Sequence, residues 1–300
     1  MTTSNCRSDI YTRVTQKIIT DLERGVRTWL KPWSGDVDAS RAALPLRHNG
    51  VAYRGINILL LWSEAIDKGY RCAHWMTYRQ ALELGGQVRK GEHGSHVVYA
   101  DKITKTDENE AGEEIERTIP FMKGYTVFNV EQIEGLPAEF CEKPTLAGPT
   151  QQLIERAEVF FAATGALIGH GGNRAFYSPS ADVIQLPKPE RFRDAESYAA
   201  VKAHELIHWT AHQSRLARTL GARFGDEAYA AEELVAELGA AFLCVALGIT
   251  AEAREDHAGY LAHWLQVLRG DNRAIFTAAS HAQRAVDYLH GLQGKKAEAA

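Results

Sequence analysis

The sequence predicts an α+β protein: N-terminal helices with a small antiparallel sheet, then a mostly helical second half that holds a short sheet. Three observations predict it. Apolar residues recur at helical spacing up to residue 84 and again from residue 150, residues 88–129 alternate apolar with polar, and residues 135–149 hold three of the nine prolines. A chain of 300 residues suggests about two domains, and a composition of 45% hydrophobic and 24% charged residues argues against disorder. The expected division is residues 1–135, a linker over 136–149, and residues 150–300.

Taken in order, Ile10, Val14, Ile18 and Leu22 share one face of a helix over Asp9–Arg24, which Gly25 stops. A loop with Trp29, Pro32 and Trp33 follows, and Leu44–Gly55 is a turn-rich approach to a second helix, Ile56–Asp67, ended by Gly69. A third helix is expected over His74–Leu84, starting near Thr77 or Trp75 and closed by Gly85 and Gly86. Val88–Ile103 and Ile115–Asn129 read as paired strands around an acidic, solvated tip at Lys105–Glu114. In the second half, helices are expected over Thr150–Thr164, Ala195–His212, Asp226–Leu247, Tyr260–Leu268 and Ile275–Leu292, with a short strand pair between Ala175 and Leu186. No internal repeat is visible.

The polar start, Met1–Asp9, and the lack of any apolar run near the roughly 18 residues of a membrane span predict neither a signal peptide nor a transmembrane helix. Cys6, Cys72, Cys141 and Cys244 lack Cys-x-x-Cys spacing and read as free thiols of a reducing cytoplasm. The net charge of −4 conceals an asymmetry: residues 1–100 carry 14 Lys+Arg against 9 Asp+Glu, residues 101–300 carry 20 against 29. The N-terminal third is the part suited to a polyanion.

His204, Glu205 and His208 spell His-Glu-x-x-His inside the Ala195–His212 helix. Four residues apart, the two imidazoles lie one turn above each other and can reach one metal ion, while Glu205 stands close enough to take a proton from a metal-activated water. A third ligand is expected on the next long helix, where Glu233 and Glu237 share a face with Ala230, Leu234 and Ala241. Glu233 is assigned as ligand and Glu237 as the carboxylate that steadies an imidazole; Glu232 points about a quarter-turn away and is the weaker candidate. Such a site polarises a carbonyl, most simply of a peptide bond, with Tyr260 or His263 as candidates to steady the oxyanion and Phe176–Leu186 as the edge for an extended peptide. Zinc is the expected ion, and manganese or another divalent ion fits the same donors.

In the first half, aromatic residues are interleaved with Arg and Lys, as a single-stranded nucleic acid requires for base stacking and phosphate contact. The residues expected to meet DNA are Trp33, Tyr53, Arg54, Asn57, Trp75, Lys90, Lys123 and Tyr125.

Ala52–Trp62, His74–Tyr99, Pro120–Pro137, "HELIHWT" at 204–210 and "EELVAELGAAFL" at 232–243 together resemble the ArdC family of plasmid antirestriction proteins, whose N-terminal domain is shared with TraC-type conjugative primases. The likeness runs through residues 8–292 with its motifs in one order. It implies a single-stranded-DNA-binding domain joined to a zincin-like metallopeptidase domain, with His204, His208 and Glu233 as ligands and Glu205 as the catalytic carboxylate. It also implies protection of incoming conjugative DNA from host restriction, which makes a restriction-system protein a possible peptide substrate. Three function classes follow: a DNA-tethered metallopeptidase, a DNA-binding antirestriction protein with a non-catalytic metal site, and a cytosolic peptidase with no DNA role. The presence of Glu205 favours the first, since a structural site has no need of it.

Overall fold

The computed structural model describes residues 9–26, 29, 43–108, 114–140, 150–218, 227–249 and 261–294. Trp33, the hairpin tip at 109–113, Asp226 and Tyr260 lie outside the described residues.

Helix α1 (Ile10–Glu23) buries Val14, Ile18 and Leu22, as their four-residue spacing requires. Strand β1 (Leu46–Arg47) leads to α2 (Ile56–Lys68), where consecutive Ile58–Trp62 are all buried because the helix is covered on more than one side. The chain then departs from expectation. Instead of one helix over His74–Leu84 it forms β2 (His74–Met76) and a short α3 (Tyr78–Glu83). Extended backbone sends successive side chains to opposite faces, and here it drops Trp75 into one apolar cluster and Met76 into another. Thr77 caps α3: its hydroxyl accepts from Gln80 N–H while the Gln80 side chain accepts from Thr77 N–H.

After β3 (Gln87–Val88), strands β4 (Ser95–Glu108) and β5 (Glu114–Asn129) form a long hairpin in continuous register from Ser95 opposite Val127 to Glu108 opposite Glu114. The sheet order is β1-β2-β5-β4, with β1 parallel to β2 and the other pairs antiparallel. Strand β6 (Ile133–Glu134) pairs with β3 as a separate ribbon.

The second half runs α4 (Thr150–Ala163), β7 (Leu167–His170), β8 (Phe176–Ser178), β9 (Val183–Leu186), α5 (Ala195–Trp209), α6 (Glu227–Leu247), α7 (Leu261–Gly270) and α8 (Ala274–Gly291). The expected strand pair is a three-stranded sheet, β7-β9-β8. Strand β7 escaped the sequence reading because it is an edge strand without an alternating apolar face, with Leu167 two-thirds exposed. Helix α5 stops at Trp209, short of His212. There the Thr210 hydroxyl donates to Ile207 O and the chain folds back through bonds such as Leu216 N–H to Thr210 O.

One apolar core joins the two halves of the sequence. Tyr11 meets Phe276 edge-on with ring centroids 4.7 Å apart, Trp62 meets Phe242 at 5.9 Å, and Trp29 meets Trp264 at 6.0 Å. The break at 136–149, of which 141–149 lie outside the described residues, divides the sequence but not the packing. Among the described residues no helix is long and apolar enough to cross a membrane.

Candidate metal centre

Four contacts fix α5. At its start the Asp194 side chain accepts from Ser197 N–H and Ser197 Oγ, both at 2.7 Å, and those bonds hold the Asp194 carboxyl down at about 2. On one flank Lys202, almost fully buried, donates to Glu158 of α4 at 2.6 Å and lies over the Tyr198 and Phe161 rings. The Tyr198 hydroxyl meets His170 Nε2 of β7 at 2.8 Å. Against α6 the approach is closer still: a methyl group on Gly239 would stand 2.9 Å from Cδ1 and Cγ1 of Ile207. A glycine there lets the two helix backbones come near enough for their side chains to share one site.

That site is the group His204, His208 and Glu233. His204 Nε2 lies 3.1 Å from His208 Nε2 and 3.5 Å from Glu233 Oε2, and His208 Nε2 lies 3.5 Å from Glu233 Oε1. Tetrahedral donors bonded to one ion at about 2.1 Å stand about 3.4 Å apart, so the three atoms already have the spacing a divalent ion needs. Their other sides are held. His208 Nδ1 donates to Glu232 Oε1 at 3.2 Å, and His204 Nδ1 faces Glu237 Oε2 across 3.6 Å. Both rings thus turn Nε2 toward the shared centre. Glu205, on the same turn, is 2% exposed.

Without an ion, protons carry the compensating charge. Burial pushes His208 down, but Glu232 and Glu233 outweigh it and the imidazole titrates at about 10. Burial likewise works against the Glu233 carboxylate, yet bonds from His204 and His208 hold it far below the usual carboxylate range. Glu232 is lowered too, against burial, first by Arg218 and then by His208. Burial and then the Arg218 cation lower His281 of α8.

The fold brings Glu233 and Glu237 of α6 to the two imidazoles. Glu232, set aside there as the weaker candidate, is the partner of His208. One helical position turns a side chain about 100°, and the α5–α6 crossing lets both flanks of that arc reach an imidazole. Arg218, which grips Glu232, had no signal in the sequence, because only the fold-back after α5 returns it to the helix. His263 is exposed on α7, which packs on α1, α6 and α8. Strand β8 is an edge of its sheet and packs on α5. Its turn is clamped by Arg215, which stacks on Trp209 at 3.9 Å, bonds Asp182 and donates to Tyr177 Oη at 3.1 Å.

The residues expected to meet DNA separate into two groups. Trp75 and Tyr53, 1% and 8% exposed, are core residues packed with Leu61, Val97 and Val127. Asn57 uses its amide at both ends, donating to Val98 O and accepting from Val98 N–H, each at 2.8 Å, and so stitches α2 to β4. Arg54 is ion-paired with Asp287 of α8. Each of the four has a partner within the fold, and Arg54 is exposed as well. Lys90, Lys123 and Tyr125 are exposed. Two residues the sequence reading left out, Tyr99 and Phe121, join them: Tyr99 lies 6.1 Å from Phe121 and 6.4 Å from Tyr125 by ring centroid, and Lys123 sits 5.5 Å over Phe121. The register that sets Tyr99 opposite Lys123 was the signal for this face.

Comparison with known proteins matches residues 8–128 to the N-terminal domain of anti-restriction factor ArdC and residues 155–281 to a zincin-like metallopeptidase. Protein y4eC of Sinorhizobium fredii (strain NBRC 101917 / NGR234) is 46% identical over 292 residues, 95% of this chain and 93% of that protein. DNA primase TraC of Escherichia coli is 38% identical over 97% of this chain, which spans 28% of the primase. The crystal structure of ArdC from the R388 plasmid superposes in its metal-free form with a TM-score of 0.79 at 46% identity, covering 95% of this chain and 98% of that one. Its Mn(II)-bound form gives 0.77 at 45% identity, covering 96% and 99%. Shared sequence and shared fold over nearly the whole length of both chains place this protein in the ArdC antirestriction family, with that family's zincin-like domain as its second half.

Proposed function

We propose that the protein binds single-stranded DNA and protects incoming conjugative DNA from host restriction, and that its second half is a metal-dependent peptidase acting in the cytoplasm. The observation that carries the peptidase reading is Glu205, a carboxylate 2% exposed and one residue from a three-donor site. A divalent ion held by His204, His208 and Glu233 supplies Lewis acidity toward a water and a carbonyl. Glu205 accepts the proton of the attacking water and passes it to the departing amine, on the opposite side of the scissile bond. The edge strand β8, clamped by Arg215, offers backbone groups to an extended peptide, and a restriction-system component is the substrate that antirestriction suggests. Zinc suits two imidazoles and a carboxylate, and the existence of a Mn(II)-bound R388 relative supports manganese as an alternative ion.

Exposed Tyr99, Tyr125 and Lys123 beside Phe121 support the DNA reading: rings for stacking and a cation for phosphate on one strand face. Neither Cys72 nor Cys244 is in a disulfide, which suits a reducing compartment. The deciding experiment is Glu205→Gln. Metal content and DNA binding should persist while hydrolysis of a peptide substrate is lost. Protection from restriction that survives this substitution would favour the second reading, antirestriction by DNA binding beside a metal site that takes no part in it.

A further inference from the structure

We infer that Arg218 is a positioning residue of the metal centre: it holds Glu232 against His208 Nδ1 and thereby fixes the ring whose Nε2 meets the ion. The inference rests on the metal-centre reading above.

The Arg218 side chain is 1% exposed, and a buried guanidinium needs its donors used. Nε donates to Glu232 Oε2 at 2.8 Å and Nη2 to Glu232 Oε1 at 2.6 Å, a fork on both carboxylate oxygens. Nη2 also donates to Ile207 O at 3.0 Å and Nη1 to Thr210 Oγ1 at 3.2 Å. One side chain therefore ties three things together: the helix of the histidines, the turn after it, and the helix of the carboxylates.

Its position follows from the chain path. After α5, Ala211 N–H bonds His208 O, Ala217 N–H bonds His212 O, and Arg218 N–H bonds Ala211 O. Ala217 takes a φ of +48°, the left-handed region that L side chains rarely enter. The backbone so returns Arg218 to the C-terminal end of α5, where carbonyls lack helical partners and a cation is favoured. Glu232 and Glu233 are neighbours, and both face the histidines. Two carboxylates close together in a buried site repel, and the Arg218 cation offsets the one that does not bind metal. A lysine offers a point charge without the planar fork, so it cannot hold both oxygens and the carbonyl at once.

The test measures Mn(II) affinity of the full chain by titration against a competing chelator, alongside the thermal midpoint of the metal-free protein. Glu232→Gln is expected to weaken Mn(II) binding by about 10–100-fold, the range for residues that orient a ligand. Arg218→Lys should weaken it by a similar factor, and the double variant by no more than the larger single effect. The metal-free midpoint of Arg218→Lys should fall, because lysine cannot replace the buried fork, while the folded fraction still binds Mn(II) more weakly than wild type. Arg218→Lys or Glu232→Gln binding Mn(II) as tightly as wild type would overturn the inference. So would effects of the two substitutions that multiply in the double variant, or a lowered midpoint with unchanged affinity of the folded fraction. A wild-type chain that fails to bind Mn(II) refutes the metal-centre reading itself.

Discussion

Gly239→Ala should loosen the metal centre without touching any donor. The added methyl would lie 2.9 Å from Cδ1 and Cγ1 of Ile207 and 3.0 Å from its Cγ2, whereas carbons in ordinary contact stand about 3.5–4.0 Å apart. Either Ile207, 0% exposed, leaves its rotamer or α6 backs away from α5 by roughly 0.5–1 Å, the shortfall in contact distance. Overpacking of this kind costs about 1–3 kcal/mol, partly offset by about 1 kcal/mol from the better helix propensity of alanine. The metal-free chain should therefore lose no more than about 2 kcal/mol. Affinity should suffer more. Glu233 is six residues from Gly239 on the same helix, and metal–ligand bonds tolerate errors of only about 0.2 Å. At least a tenfold weaker Mn(II) affinity is expected, measured by chelator competition beside a denaturant titration of the apoprotein. Ile207→Ala removes all three crowded carbons, so adding it to Gly239→Ala should restore part of the lost affinity. A Gly239→Ala protein with wild-type affinity would refute the claim that this helix contact sets the donor spacing.

His208, raised from 6.5 to about 10 in the metal-free chain, must give up a proton to take an ion, so Mn(II) affinity should rise about tenfold per pH unit through the neutral to mildly alkaline range. A flat profile would refute that competition. Stability that His208 lends the apoprotein carries the matching sign: it is fully present below pH 6.5 and is lost as pH rises through about 10. On the first half, Trp75→Ala should destabilise the fold by about 3–5 kcal/mol as a core truncation. Tyr125→Ala should leave the unfolding midpoint nearly unchanged and weaken binding to a labelled single strand. Lys123→Ala should reduce the slope of log affinity against log salt by about 1; unchanged slopes would remove the β5 face from the DNA surface.

The metal motif was legible because a helix has one period: His204 and His208 at i and i+4, and Glu233 and Glu237 at the same spacing, need no knowledge of the tertiary fold. Glu232 and Arg218 were not legible, since their roles arise where two helices cross and where a turn doubles back. The aromatic residues of the first half show the converse. Composition cannot tell the buried Trp75 from the exposed Tyr125, because both lie in apolar runs with basic neighbours; only the pairing of β2 with β5 and the reach of the β4–β5 hairpin past the core separate them. The strand at His74–Met76 was missed because both faces of it are buried, which erases the alternation that marks a half-exposed strand.

The shared core has a bearing on how the chain is made. Helix α1 is finished against the last helices: the Thr15 hydroxyl donates at 2.6 Å to Asn272 O, 257 residues downstream, and Glu23 pairs with Arg269 at 2.5 Å. As the polypeptide leaves the ribosome, the side of α1 that meets α7 stays uncovered until α7 has been translated. Such long-range closure slows folding and leaves apolar surface open to wrong partners in the meantime. Expressing the two halves as separate polypeptides would make that transient exposure permanent in both.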